Sequence, residues 1–349
     1  MSVDQPLTRP GTTGPTGTAD DSSRMRVDAP AKVTGSAPYA YEQPVDHPAY
    51  LFPLVSTIAR GTITGIDDGG AAELPGVRLI LTHRNAPRTR LRTDAPLIIL
   101  QSPEVSYRGE FIGAVVADTA AIARQAAALI EVTYQEQPAE LGFGPDHPAA
   151  FVPRRVNAFK AGADERGEPD AGLRRGTAIE ATYSSPMEFH SPIEPHTVTA
   201  IWHEVSKLAP AQVRLTLYDA NQGTGVHGAM LAPVLGLLPN QIEVISPYVG
   251  GSFGTKGWPH PHLVLVAMAA KLLPGRPVKY AMTRQQMFRT TGHRPASIQR
   301  IRASADETGR LIAVDHQSWA PTSKVKRYVD QTLSATRMLY AVPNLRTIH

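Results

Sequence analysis

The segment Ile242–Gly257, IEVISPYVGGSFGTKG, constrains this chain more than any other. An apolar run of β type leads into three glycines, Gly250, Gly251 and Gly254, set around Ser252 and Phe253. The run HLVLVAMAAKLL (His262–Leu273) follows and predicts a buried helix. Glycine admits positive φ and lets another group come close to the backbone. Backbone N–H groups fanned out by such a turn can hold an anionic cofactor. GGSFGTKG does not fit GxGxxG, so it is no dinucleotide fingerprint, and Thr255 in place of glycine before Lys256 rules out a P-loop. On chemistry alone two readings stay open: a tight strand-to-helix turn, or a cradle for a bound group.

At 349 residues the chain has room for two domains with their own cores. A content of 42% hydrophobic and 19% charged residues is globular and not disordered. The net charge is only +4, and the basic residues are scattered, with small clusters at Arg154–Arg155, Arg174–Arg175 and Lys324–Arg327. None is the long run of a nucleic-acid arm, and aromatics at 6% are too sparse for a base-stacking surface, so no nucleic-acid partner is expected. There is no cysteine. That excludes a disulfide framework, thiolate zinc sites and any iron–sulfur cluster ligated by this chain.

The opening MSVDQPLTRPGTTGPTGTADDSS lacks the apolar core of a signal peptide or an anchor, and residues 1–24 are expected to be a disordered lead-in. The longest apolar stretch, His262–Leu273, falls short of the roughly 20 residues that span a bilayer. No membrane span is expected, and the expected compartment is the cytoplasm, with export as a passenger on a partner left open.

Tyr50–Arg60, Ala72–Thr82 and Phe111–Asp118 mix β-branched residues with turn punctuation, as strands do. Asp118-Thr119 can cap an Ala-rich helix over Ala120–Ile130, and Glu131–Tyr134 reads as a further strand. This predicts an α+β domain over residues 25–140. Residues 141–176 carry Pro, Gly and charges, including DERGEPD, and predict a linker. From residue 177 to 349 a second domain is expected. Its strands are Ile179–Tyr183, Thr197–Trp202, Gln212–Asp219, Ile242–Val249, Pro277–Thr283 and Ser297–Ala303, with a hairpin turn at Asp306–Leu311 leading into Leu311–Ser318. Val226–Leu238 predicts a helix with Pro233 as a kink.

Asn221-Gln222-Gly223 reads on its own as a polar turn, although the Gln222 amide offers two donors and an acceptor. His190, Glu194, His196 and His203 cluster in the sequence, but their spacing matches no standard ligand pattern, and Pro192 and Pro195 break any helix that would align them. They predict a loop feeding a strand, and no metal-ligating residue is assigned. His260 and His262 flank Pro261 at a helix entry. Nothing in the spacing singles out Glu188 and Glu194 as an acid/base pair. GxSxG is absent, and without cysteine there is no thiol nucleophile.

The GGSFG turn, with YDANQG (Tyr218–Gly223) before it and TRQQMF (Thr283–Phe288) after it, resembles the molybdenum-binding large subunit of the xanthine dehydrogenase/aldehyde oxidase family. YSSPMEFHSPIEPHTVTAIW (Tyr183–Trp202) resembles the opening of that family's cofactor domain. RVDAPAKVTGSAPYAYE (Arg26–Glu42) and RGEFIGAVVADTAAIARQAAALIEVTY (Arg108–Tyr134) resemble its hammerhead domain. The segments occur in the family's order, and the likeness is to the bacterial branch with separate subunits.

The resemblance implies a hammerhead-type α/β domain over 25–140 and the first part of a molybdopterin-binding domain over 177–349. It implies a molybdenum-pterin cofactor, the cytosine dinucleotide being one form, and iron–sulfur and FAD subunits as partners. It implies that Gln222 hydrogen-bonds an oxygen ligand of the metal, and that Gly250, Gly251, Ser252, Phe253 and Gly254 pack against the cofactor. Family members often carry Gly or Ala where Ser252 stands. Purine-oxidising relatives have a glutamate after the motif's lysine, where this chain has Gly257, which implies aldehydes or similar electrophilic carbons as substrates. The family's catalytic glutamate falls beyond His349, so no catalytic residue is assigned. Three expectations follow: a large-subunit segment completed by a second chain that carries the C-terminal half, an inactive truncated fragment, or a non-catalytic cofactor-binding module.

Overall fold

The computed structural model describes residues 26–90, 94–157, 159–204 and 212–349, and the lead-in expected at residues 1–24 lies outside them. The chain divides into two compact units, Met1–Pro38 and Tyr39–His349. In the first, Ala29–Val33 is a short helix with Pro in its first turn, and Asp28 pairs with Arg26 at 2.9 Å and Lys32 at 2.5 Å.

Among the described residues the second unit has fifteen strands: β1 (Ala49–Val55), β2 (Gly61–Asp67), β3 (Val77–Thr82), β4 (Glu104–Val105), β5 (Phe111–Ala117), β6 (Glu131–Glu136), β7 (Ala163–Arg166), β8 (Thr177–Ser185), β9 (Thr197–Trp202), β10 (Leu215–Asp219), β11 (Ile242–Ile245), β12 (Val278–Ala281), β13 (Ser297–Ala305), β14 (Leu311–Trp319) and β15 (Asn344–Ile348). They form a seven-stranded sheet of order β11-β10-β9-β12-β1-β5-β3, a five-stranded sheet β7-β15-β14-β13-β8 and a three-stranded sheet β4-β2-β6. With the helices between them, the architecture is α+β, as the sequence predicts.

The large sheet crosses the expected domain boundary. β12 pairs parallel to β1, with Ala49 opposite Val278 and Tyr50 opposite Lys279. The main core accordingly joins Leu51, Leu81 and Phe111 from the first segment to Leu217, Leu265 and Tyr280 from the second. The chemistry of β5 explains its place inside the sheet, between β1 and the edge strand β3. FIGAVVA is buried at every position, and its backbone pairs with β1 on one side and β3 on the other. A strand covered on both faces has no reason to alternate.

The Ala-rich helix forms over Ala120–Leu129, and its N-cap Thr119 accepts from the Ile122 N–H at 3.2 Å. Asp118, the other candidate cap, instead binds Arg78 at 2.6 Å and Arg276 at 2.7 Å. The helix Pro261–Leu272 buries every residue from Pro261 to Ala270 and packs chiefly on β9. Pro233 lies inside the helix Thr224–Leu235, which Gly236 ends at φ 72°.

The segment expected as a linker is folded in part. β7 pairs with β15, and the helix Pro169–Leu173 packs on β14. The physical reason is ion pairing: Arg346 binds Glu165 at 2.8 Å and Asp170 at 2.7 Å, so acidic residues that read as solvated are partners across the sheet. β2, β4, β15 and the helices Arg284–Thr290 and Ser334–Leu339 are further elements that the sequence reading did not predict.

Candidate functional site

Four connections meet at one end of the large sheet. β10 runs parallel to β11, and β9 runs antiparallel to both β10 and β12. The chain therefore enters β9 at the end where it leaves β10, β11 and β12. This brings together the approach to β9 (Glu194, His196), the loop after β10 (Gln222), the glycine turn after β11, and Arg284 after β12. In open sheets of this kind, crevices at the carboxyl ends of parallel strands are where ligands bind.

The two motifs picked out in the sequence touch. The Gln222 N–H donates to the Lys256 carbonyl at 3.0 Å. The Ser252 hydroxyl donates to Gln222 Oε1 at 2.6 Å and accepts from the Lys256 N–H at 2.9 Å. Gln222 itself is exposed, and its Nε2 has no partner among the described residues. Beneath it, buried Asp219 accepts from Asn221 Nδ2 at 2.9 Å and from His227 Nδ1 at 2.7 Å, which fixes the loop's root.

The turn depends on its glycines. Gly251 and Gly254 adopt φ of 96° and 100°, and Phe253, 73% exposed, sits in the left-handed region at 56°. A Cβ on Gly250 would lie 2.5 Å from Glu194 Cβ. A Cβ on Gly254 would meet nothing closer than His190 Nε2 at 3.9 Å, so this glycine faces open space. The N–H groups of Phe253 and Gly254 have no hydrogen-bond partner among the described residues. Unpaired adjacent donors beside an open glycine, with the unpaired Gln222 Nε2 next to them, suit a ligand rich in oxygen acceptors.

The residues that cluster in the sequence around β9 part company. Glu194 Oε2 accepts from the Gly250 N–H at 2.7 Å and from Lys256 Nζ at 2.8 Å, while the Glu194 N–H donates back to the Gly250 carbonyl at 3.0 Å. Burial lowers the Lys256 pKa, and the Glu194 charge opposes that fall. His203 bonds Thr216 at 2.9 Å. His196 packs edge-on against His260 and His262, with ring centroids 5.2 and 5.7 Å away. Burial pushes His196 down to about 3, helped by the charges of His260 and Lys256, and burial also lowers His260 and His262. His260 Nε2 donates to the Thr255 carbonyl at 2.6 Å, and so braces the turn from below. Among the described residues no group of three or more His, Cys, Asp or Glu could hold a metal ion.

Sequence reasoning missed the Glu194–Lys256 pair, because 61 intervening residues separate its halves and proline-rich neighbours suggested only a loop. A lysine immediately after a glycine turn and before an apolar helix was the one available signal, since such a charge has to find a partner if buried.

Over residues 152–349 the chain matches the molybdopterin cofactor-binding domain, and over residues 34–138 the a/b hammerhead domain of aldehyde oxidase and xanthine dehydrogenase. It belongs to the xanthine dehydrogenase/aldehyde oxidase family. It is 32% identical over 327 residues to the aldehyde oxidoreductase molybdenum-binding subunit PaoC of Escherichia coli, covering 92% of this chain and 42% of that one. It is 28% identical to the aldehyde oxidoreductase of Megalodesulfovibrio gigas, covering 93% and 37%. The fold matches quinoline 2-oxidoreductase from Pseudomonas putida 86 with a TM-score of 0.75 at 23% identity, over 93% of this chain and 43% of that one. The chain thus spans less than half the length of these relatives. No helix among the described residues is long and apolar enough to cross a membrane.

Proposed function

We propose that this chain forms the glycine-turn side of a molybdenum-pterin site in a molybdenum hydroxylase that oxidises aldehydes. The observation that carries this reading is the contact between Gln222 and the turn, with Gln222 Nε2 and the N–H groups of Phe253 and Gly254 all left without partners. When bound, the cofactor supplies oxidation of the substrate carbon with water as oxygen donor. Gln222, Phe253 and Gly254 would hold its oxygen atoms, each through a donor that has no protein partner among the described residues. Gly250 and Gly251 let the turn pack closely on Glu194 and Pro192, and Lys256 and His260 hold it in place.

Gly257 supports an aldehyde and not a purine. It leaves the space beside Gln222 free of a side chain, and a Cβ there would be 3.6 Å from Gln222 Oε1. Glu194 does not serve as the base that takes up the proton, because its Oε2 is bound by Lys256 and Gly250 and its Oε1 is buried away from the surface. We assign the base to the remainder of the family's cofactor domain, on this polypeptide or on a companion chain. Iron–sulfur and FAD subunits, as electron acceptors, complete the proposed assembly, and the cytoplasm is its proposed compartment.

The test is native purification with its co-purifying polypeptides, followed by molybdenum and pterin analysis of wild type and Gln222→Ala. The expected result is a stoichiometric cofactor in wild type and turnover reduced by at least tenfold in Gln222→Ala, with unchanged expression. Wild type free of molybdenum and pterin, purified alone, would make the chain a catalytically empty module.

A further inference from the structure

We propose that Ser252 is a positioning residue that sets which end of the Gln222 carboxamide faces the site. The inference rests on the reading of Gln222 given above. The sequence leaves the amide free to turn, because Gln222 is exposed and its two ends are nearly equal in size. The structure removes that freedom through the hydroxyl of Ser252.

Ser252 is 6% exposed, so its hydroxyl proton needs an acceptor inside the protein. The oxygen already accepts from the Lys256 N–H at 2.9 Å. The hydroxyl has one proton, and the acceptor it reaches is Gln222 Oε1 at 2.6 Å. With the amide reversed, the Nε2 group would donate to the same oxygen, and the buried hydroxyl proton would lose its acceptor. Leaving a buried donor unsatisfied is costly, enough to favour one orientation by roughly fivefold to a hundredfold. The outcome is an amide whose carbonyl is tied to the turn and whose NH2 group points outward.

The hydrogen bond also has a fixed base. The Gln222 N–H is held by the Lys256 carbonyl at 3.0 Å, and the Lys256 side chain is held by Glu194 at 2.8 Å. Ser252, Lys256 and Gln222 therefore move as one piece, and the site presents a donor pair to whatever faces it. A ligand atom opposite Gln222 must accept hydrogen bonds. Gly or Ala at position 252 cannot impose this choice, because neither carries a hydroxyl.

The test is nuclear magnetic resonance of the full chain carrying 15N-glutamine, with Gln222→Ala to assign the side-chain signal. In wild type the Gln222 side-chain amide is expected to be ordered on the ps–ns timescale, and its order parameter to fall below about 0.6 in Ser252→Ala. Ser252→Thr, which keeps the hydroxyl, is expected to restore most of the order. Chemical denaturation of both variants separates this from unfolding. An ordered Gln222 amide in a folded Ser252→Ala chain overturns the proposal and leaves the assignment of Gln222 to the cofactor standing. If Ser252→Ala loosens the amide while Gln222→Ala keeps full turnover in the loaded enzyme, the positioning holds and the cofactor role of Gln222 fails.

Discussion

Lys256 Nζ lies 2.8 Å from Glu194 Oε2 and 3.0 Å from the Glu194 carbonyl, with the lysine side chain fully buried and the glutamate 11% exposed. The same carboxylate oxygen takes the Gly250 N–H at 2.7 Å. One acidic residue from the approach to β9 thus holds both ends of the glycine turn. Removing it strands a buried ammonium, and breaking a buried pair costs about 3–5 kcal/mol. Glu194→Ala is expected to lower the urea midpoint by a corresponding amount. The double variant Glu194→Leu/Lys256→Met, with no unpaired charge, is expected to recover much of that loss. A double variant as unstable as the single one would show that the pair is not the source of the effect.

Two glycines of the turn fail for different reasons when substituted. At Gly250 a methyl group would collide with Glu194 Cβ at 2.5 Å, and the rigid partner cannot swing away. At Gly254 the methyl group enters open space, and the cost is the strain of φ 100°, about 1–3 kcal/mol. Gly250→Ala is expected to unfold at the lower denaturant concentration. Gly254→Ala is expected to stay folded while losing molybdenum and pterin, because its new methyl group projects into the space assigned to the cofactor. Metal analysis of the folded variant decides this, and full cofactor content in Gly254→Ala would move the cofactor away from the turn.

The elements around the site were legible because their signals are local. The glycines, the alternation in Gln212–Asp219 and the apolar run His262–Leu273 each predict a conformation without reference to the rest of the chain. The loop carrying Gln222 and the turn carrying Ser252 were both singled out, yet their hydrogen bond was not predictable. It exists because β10 and β11 are parallel neighbours, and parallel pairing is fixed by the fold and not by either strand alone. The same holds for β7, whose sequence Ala-Asp-Glu-Arg lacks every strand signal and is ordered by pairing with β15 and by Arg346. β12 beside β1 is a third case, since four residues of alternating burial say nothing about which strand they join.

The histidine group beneath the turn makes stability depend on acid. His196, His260 and His262 are all held below the ordinary value of 6.5 by burial, His196 down to about 3. In the folded chain they stay neutral as the pH drops past 6.5, whereas in the unfolded chain they take up protons. The unfolded state then binds more protons, so stability falls between 6.5 and the lower folded values and is flat above that window. Each imidazole removes about 1.4 kcal/mol per pH unit within its window. His262 is 2% exposed, and neither ring nitrogen has a hydrogen-bond partner among the described residues, so His262→Leu is expected to flatten the profile by one proton. Urea midpoints at pH 5.5 and 7.5 measure the slope. An unchanged slope in His262→Leu would place the proton uptake elsewhere.

The continuity of the seven-stranded sheet makes the two sequence segments interdependent. β1 and β5 lie between β12 and β3, and Val278 and Tyr280 of β12 are buried in the core shared with Leu51 and Phe111. A chain beginning at residue 141 would uncover these side chains, each worth about 1.5–3 kcal/mol of burial, and would leave the edge of β12 unpaired. Such a fragment is expected to aggregate when made alone, as seen by light scattering, and to become soluble when residues 1–140 are supplied on a second chain. A fragment that unfolds cooperatively as a monomer would mean that the second segment holds its own core, with β1 only resting against it. The first outcome also bears on the site, because β9, β10, β11 and β12 aim its four connections, and the pairing of β12 with β1 anchors that side of the sheet.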